Sequence, residues 1–149
     1  MKKRFLIIFI AFLVIPIAGL AAQEGAFTLM SFDIGYGPAM STSGGSLQTI
    51  NTFGINVRVA GPMCVGFVSN TGGLTYSSLK IKFDVRPQVR AVFGYGAGNR
   101  VGLGFEIIPF RRQASGLFTE FKIAPEYTFT DTTVTSGTLI FPLTLGIGF

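Results

Sequence analysis

Histidine is absent from all 149 residues of this sequence. Its absence removes the usual general base for a serine or aspartate nucleophile, the commonest metal ligand and the side chain that titrates near neutral pH. The single cysteine, Cys64, cannot form an internal disulfide, so this is not a small scaffold held together by disulfides. We expect Cys64 to be a small packed side chain, and we expect no metal site and no cofactor.

Dense basic runs and long apolar runs are also missing beyond residue 22. The formal net charge of +5 includes three basic residues at positions 2–4, and without them nine basic residues stand against seven acidic ones. Nothing therefore indicates a nucleic-acid partner. No stretch beyond residue 22 approaches 18 consecutive apolar residues, so no membrane-spanning helix is predicted there.

The first 22 residues have the three-part pattern of a secretory signal peptide. Basic residues at 2–4 precede an apolar run over 5–20, and the small residues Ala21 and Ala22 each offer a cleavage point. A single membrane anchor is the alternative, but the run is near the lower length limit for spanning and contains a proline. We therefore predict an exported domain over residues 23–149, long enough for one domain.

Apolar residues in this exported part alternate with polar or small ones, the period of two that is typical of β-strands. Clusters of Gly, Ser, Thr, Asn and Pro separate the alternating stretches. Eight strands are predicted, over residues 28–39, 49–60, 63–69, 74–86, 88–96, 100–110, 117–129 and 138–149. The connections at 41–47, 70–73, 97–99 and 130–137 then lie at one end of the sheet, and those at 61–62, 86–87 and 111–116 lie at the other.

The last strand has a continuous apolar face that ends on an aromatic residue. Its apolar residues occupy every second position: Phe141, Leu143, Leu145, Ile147 and Phe149. Such an apolar face is unfavourable in water unless another apolar surface covers it. In an exported bacterial protein, the acyl chains of lipid can provide that surface. Tyrosines near one end of the first, fifth and seventh strands are predicted to form an aromatic girdle at the membrane surface, namely Tyr36, Tyr95 and Tyr127.

Charged residues inside the predicted strands, apart from those at strand ends, all have the parity opposite to the apolar face. They are Asp33, Arg58, Lys80, Lys82, Asp84, Arg86, Arg90, Glu106, Glu120, Lys122 and Glu126. A soluble sandwich also has two-faced strands, but a charge at the bilayer midplane costs about 2–4 kcal/mol, which explains strict exclusion from one face more directly.

An eight-stranded barrel is just wide enough for its interior side chains to fill it, and buried charges persist when they are paired. We therefore predict a lumen network of ion pairs formed by Arg58, Lys80, Lys82, Asp84, Arg90, Glu106, Glu120, Lys122 and Glu126. A charged pore for small solutes is the alternative, and the narrow diameter favours the closed lumen. The inward glutamates alternate with Lys and Arg, so ion pairing is favoured over a catalytic acid–base pair.

With these features the sequence resembles small eight-stranded outer-membrane proteins of the OmpX and OmpA-transmembrane-domain type. The resemblance implies an all-β, antiparallel, up-and-down transmembrane β-barrel in the bacterial outer membrane, with lipid as its surroundings. It also implies that the barrel-assembly machinery recognises the final strand, from Phe141 to Phe149. Structural, adhesive or host-interaction roles follow from the likeness, although the short outer loops weaken adhesion, and any surface ligand is open.

No enzymatic activity is expected, because the membrane-barrel enzymes depend on a histidine. Two alternatives remain from the sequence. One is a small porin-like channel, including the OmpW-like passage of apolar molecules sideways into the bilayer. The other is a soluble periplasmic β-barrel that binds an apolar ligand with its apolar face turned inward.

Overall fold

A computed structural model describes residues 30–130 and 135–149. The predicted signal peptide, residues 1–22, and residues 131–134 of the predicted loop 130–137 lie outside the described residues. No helix in the described ranges is long and apolar enough to cross a membrane. The chain forms ten strand segments there: β1 (Met30–Ser41), β2 (Gln48–Ala60), β3 (Met63–Gly72), β4 (Tyr76–Arg86), β5 (Val89–Gly96), β6 (Arg100–Ala114), β7 (Leu117–Ile123), β8 (Glu126–Thr130), β9 (Thr138–Ile140) and β10 (Leu143–Gly148).

These segments form one closed antiparallel sheet. The segments β1 to β7 pair in chain order, and β10 closes the sheet by pairing with both β7 and β1. The short segments β8 and β9 pair with each other, and they also pair with β6 and β1 respectively. The described chain is therefore an eight-stranded up-and-down barrel, as the sequence predicts.

Two prolines explain why eight barrel strands are divided into ten segments. The break between β7 and β8 contains Pro125, and the break between β9 and β10 contains Pro142. Proline has no N–H and therefore interrupts the ladder of hydrogen bonds. The antiparallel register between these two barrel strands is the same on both sides of the breaks. Each pair of segments is one strand, over the ranges predicted as 117–129 and 138–149.

The connections predicted at 70–73 and 111–116 are shorter than the sequence indicates. The strand β3 continues to Gly72, and the buried Asn70 accepts a hydrogen bond from the Thr52 hydroxyl at 2.8 Å. The strand β6 continues to Ala114, where a two-residue turn joins it to β7. Ser115 and Gly116 in that turn have φ of 49° and 83°, the left-handed pair that matches the twist of a hairpin.

A β-bulge in β6 changes the side to which its last residues point. Three residue steps from Ile107 to Phe110 face two steps on β7. The extra residue reverses the inward–outward alternation, because alternation has a period of two. Phe110 consequently lies exposed on the outside, and Arg111 pairs with the inward Glu120.

Apolar residues lie on the outside of the barrel and charged residues lie inside. Phe105 and Leu145 are 52% and 54% exposed, whereas Lys82 and Glu120 are 3% and 2% exposed. Some outward residues are nevertheless covered by their neighbours: Ala91, for example, lies between Phe83 and Phe105 on the adjacent strands. The interior also has an apolar part, formed by Ala39, Ile50 and Ile140 with Leu74 packed against them.

The backbones approach closely where β6 passes β8. A Cβ atom added at Gly104 would collide with the carbonyl oxygen of Pro125 and would lie 2.8 Å from the Cα atom of Glu126. At the inward Gly94 of β5 the nearest atom to an added Cβ is 3.5 Å away, which is ordinary contact. Only the first position therefore requires glycine for the two backbones to approach.

We expect Gly104→Ala to lower the free energy of unfolding by about 2 kcal/mol, the usual cost of overpacking against atoms that cannot move aside. The matched variant Gly94→Ala should stay within about 0.5 kcal/mol of the wild type. Urea titration of the folded barrel in lipid vesicles measures both values. Equal stabilities for the two variants would contradict the close approach of β6 and β8.

Candidate functional site: the ion-paired interior

Six charged side chains form a closed ring of alternating sign inside the barrel. Asp33 comes from β1, Lys82 from β4, Arg90 from β5, Glu106 from β6, and Glu120 and Lys122 from β7. All six are at least nine-tenths buried. Going round the ring, the order of contacts is Arg90, Glu106, Lys82, Asp33, Lys122, Glu120 and back to Arg90.

The two lysines connect the carboxylates of the ring. The Lys82 ammonium lies 2.6 Å from Glu106 Oε1 and 3.4 Å from Asp33 Oδ2. The Lys122 ammonium lies 2.6 Å from Asp33 Oδ1 and 3.8 Å from Glu120 Oε2. Each lysine ammonium therefore contacts two carboxylates. An ammonium group suits this arrangement because it is compact and has three N–H donors.

Arg90 completes the ring and extends it. Its two terminal nitrogens donate to the two oxygens of Glu120 at 2.8 Å each, the bidentate geometry that fixes both planes. Its Nη1 also lies 3.5 Å from Glu106 Oε2, and its Nε donates to Asp84 at 2.6 Å. Arg58 binds the other oxygen of Asp84 at 3.1 Å.

Two further contacts complete the surroundings of the ring carboxylates. Arg111 donates to Glu120 Oε1 from Nε at 2.9 Å and from Nη2 at 2.6 Å. The Asn56 amide donates to Asp33 Oδ2 at 2.8 Å. A separate ion pair joins Lys80 to Glu126 away from the ring. Every carboxylate in this network thus faces at least one cation, which compensates for its loss of water.

All nine residues predicted for the lumen network lie inside the barrel and take part in these contacts. Asp33 has the predicted inward parity but was not expected as part of the network, although it contacts both lysines. Arg111 was predicted to lie in a turn, and the β6 bulge turns it inward. The proline at 109 within an otherwise regular strand is the sequence signal that marks such a bulge.

The inward position predicted for Arg86 is wrong. A bulge between Asp84 and Arg86 shifts the register of β4, so that Arg86 pairs with Val89 at the end of the hairpin. Val89 is an outward position, and Arg86 is exposed. Arg111, from the neighbouring hairpin, points inward instead and pairs with Glu120.

The predicted girdle tyrosines are all on the outward face. Tyr36 and Tyr95 are 58% and 51% exposed, and the Tyr95 hydroxyl donates to Asn99 Oδ1 at 2.9 Å. Tyr127 packs against Phe129 with their ring centroids 5.6 Å apart. Their partly polar, partly apolar rings suit a boundary between lipid and water.

The predicted C-terminal signal residues all point outward and are exposed: Phe141, Leu143, Leu145, Ile147 and Phe149. Their strand closes the barrel against β1, and the Phe149 and Met30 backbones exchange two hydrogen bonds of 3.0 and 3.2 Å. The Phe149 ring lies 6.2 Å from that of Phe32. The last residue is therefore held in the barrel wall by backbone hydrogen bonds to Met30 and by ring packing against Phe32.

Cys64 is buried on the inward face of β3, between Arg58 and Lys82 on the neighbouring strands. In the described part of the chain, no group of three or more cysteine, aspartate and glutamate side chains is arranged to hold a metal ion. The carboxylates instead face Lys and Arg, so the chemistry of the interior is that of ion pairing.

Removing one cation from the ring should lower the stability of the folded barrel. We expect Lys122→Met to lower the free energy of unfolding by about 3–5 kcal/mol, because Asp33 loses its closest cation while still buried. The control Arg112→Met, at an exposed outward position, should change it by less than about 0.5 kcal/mol. In the double variant Lys122→Met, Asp33→Asn the loss should be smaller than the sum of the two single losses, since the two residues interact directly. Additive losses in urea unfolding would contradict the pairing.

No protein-family model and no curated protein sequence matches this chain. A solved structure described as "De novo design of transmembrane beta-barrels" is similar to it, with 11% sequence identity and a TM-score of 0.45. The likeness covers 83% of this chain and 98% of that chain.

Proposed function

We propose that this protein is an integral β-barrel of the bacterial outer membrane with a closed, ion-paired lumen and a structural or surface-interaction role, without enzymatic activity. The observation that carries the proposal is the inverted arrangement of the barrel. Charged side chains fill the interior, and apolar side chains cover the exterior. Soluble barrels have the reverse arrangement, because water favours charges outside.

The apolar exterior is too extensive for water. Twenty-two large apolar or aromatic side chains are exposed in the described chain, and they occur on every barrel strand. A soluble monomer rarely exposes a contiguous apolar patch larger than a few hundred Å². Lipid acyl chains can cover such a surface all round the barrel, whereas a protein partner covers one side.

Among the described residues, no charged side chain lies in the middle of the outer surface of the barrel. Arg86 and Arg112, which are exposed on the outward side, both lie next to hairpin turns at one end of the barrel. Positions near the ends reach the headgroup region, where arginine costs about 0–1 kcal/mol rather than the 2–4 kcal/mol of the midplane. The tyrosines at 36, 95 and 127 lie towards the opposite end, where a girdle is expected.

Two features support a closed lumen. The ion-pair ring occupies the interior with six charged side chains that contact one another across it. Towards the opposite end, Ala39, Ile50 and Ile140 are at least 98% buried against one another. An eight-stranded barrel has little further interior volume, so a conducting path is not expected.

An apolar ligand inside the barrel is also disfavoured, because the ring would have to lose its ion pairs to admit it.

We further propose that the chain is exported through its signal peptide and is of the OmpX and OmpA-transmembrane-domain type. The exposed apolar C-terminal strand, ending at Phe149, is proposed as the segment that the barrel-assembly machinery binds.

A lysine in the middle of the outer surface tests the lipid contact. We expect Leu145→Lys to lower the free energy of unfolding in lipid vesicles by about 2–4 kcal/mol. Leu145 is central in its apolar strand face, between Ile34 and Phe121 on the adjacent strands. The control Asn51→Lys, at an exposed outward position near the end of β2, should cost about 0–1 kcal/mol. Equal, near-zero effects would indicate that water surrounds Leu145.

Planar bilayer recordings test the closed lumen. Purified protein, shown to be folded by heat-modifiable migration in a gel, should give no reproducible single-channel steps, because the ring is complete. Steps that disappear in Lys82→Met or Glu120→Gln would establish a pore through the ring and contradict the closed lumen.

Fractionation of cells that express the full chain is expected to recover it with the outer membrane. Recovery in the soluble periplasm would reject the membrane assignment.

A further inference from the structure

The outward-facing charges of the described barrel are all positive. Every aspartate and glutamate side chain among the described residues forms an ion pair inside the barrel. Arg86 and Arg112, in contrast, are exposed on the outward side. Neither arginine forms a salt bridge with any described group. The outer surface therefore offers two cations without a protein partner.

Both arginines lie at the edge of the apolar outer surface. Residues paired across two antiparallel strands have their side chains on the same face of the sheet. Arg86 pairs with Val89, which in turn pairs with the exposed, outward Ile107. On β6, Arg112 follows Phe110, which is exposed and points to the same side. Each arginine can therefore lay its aliphatic stem along apolar surface and extend its guanidinium towards the lipid headgroups.

The two arginines lie at the end of the barrel that has the shorter connections. The turns at this end, over 61–62, 87–88 and 115–116, have two residues each. The connections at the other end are longer and span 42–47, 73–75, 97–99 and 131–137. In outer-membrane barrels the short turns face the periplasm. On the proposed function, on which this inference rests, the two guanidiniums thus reach the headgroups of the periplasmic leaflet, which consists of phospholipid.

The chemistry at this end favours a headgroup with net negative charge. A guanidinium has a planar fork of N–H donors that matches phosphate. A zwitterionic headgroup also carries an ammonium group, which requires an anion beside it. The carboxylates nearest this end, Asp84 and Glu120, face the lumen, and each is already bound by two arginines. The described outer surface therefore binds the phosphate of a headgroup but offers no carboxylate side chain to an ammonium.

We propose that Arg86 and Arg112 form an anionic-phospholipid rim, at which each guanidinium binds the phosphate of a headgroup such as that of phosphatidylglycerol. The two residues lie on different hairpins, β4–β5 and β6–β7, so they bind separate lipid molecules. The rim holds this end of the barrel at the level of the phosphates, while the apolar residues below it contact acyl chains.

Phosphatidylglycerol in vesicles is the probe. Replacing part of the phosphatidylcholine by phosphatidylglycerol should raise the equilibrium constant for folding of the wild type about 25-fold, because each basic residue near an anionic surface contributes a factor of about five. Arg86→Gln and Arg112→Gln should each lose a factor of about five from this gain, and the double variant should lose nearly all of it. In phosphatidylcholine alone, these variants should unfold as the wild type does.

The matched control is Arg100→Gln, which removes an arginine at the opposite end of the barrel. The Arg100 guanidinium lies over the buried Tyr76 ring on the inward side, so this variant should keep the full gain from phosphatidylglycerol. It also lowers the charge of the unfolded chain by one, as each rim variant does. A loss in Arg100→Gln equal to that in the rim variants would overturn the proposal, because the gain would then depend on total charge.

Two further outcomes would overturn the rim without affecting the membrane assignment. One is a wild type that folds into phosphatidylcholine vesicles but gains nothing from phosphatidylglycerol. The other is an equal gain in the wild type and in the double variant. A chain that folds into vesicles of neither composition would reject the membrane assignment and the rim together, so the two failures are distinguishable.

Discussion

The pairing of charge inside a narrow cylinder is the constraint on which the rest of this structure depends. Once Asp33, Glu106 and Glu120 point inward, they leave water, and cations within about 4 Å must compensate. The ring does this with one cation between each pair of carboxylates, so the five strands that contribute to it, β1 and β4 to β7, depend on one another for the pairing of their charges. Contacts across the lumen thus join strands that share no backbone hydrogen bonds, such as β1 and β4.

The apolar exterior of the barrel is connected to the same pairing of charges inside it. Because the charged residues of the strands are used inside, the alternate positions are free to be apolar over the whole circumference. A closed sheet satisfies its backbone hydrogen bonds internally, which is the condition for a β structure to enter lipid. Three features are therefore connected by one alternating pattern: charged residues inside, apolar residues outside, and a closed ladder of backbone hydrogen bonds. In a bilayer, each of these features is needed for the other two to be stable.

The interior is not uniform along the barrel axis. The ring occupies one level with ion pairs, and Ala39, Ile50 and Ile140 fill another with apolar packing. At a third level, the Lys80–Glu126 ion pair crosses the glycines of β5 and β6 between β4 and β8. Glycine matters for different reasons at neighbouring inward positions of β6: Gly104 allows two backbones to approach, whereas Gly102 leaves room for the end of the Glu126 side chain.

The sequence by itself determined the barrel: eight alternating stretches, the parity of the charges and the apolar final strand are local patterns with a period of two. It also placed ten of the interior charges on the correct side. Only the tertiary structure decided that Arg86 is outside and Arg111 inside, since one bulge in β4 and one in β6 each add a residue and reverse the parity after it. The closure of the ring through Asp33 was likewise decided in three dimensions. Parity states which side of the wall a residue faces, whereas its partner across the lumen depends on how the strands are staggered around the barrel.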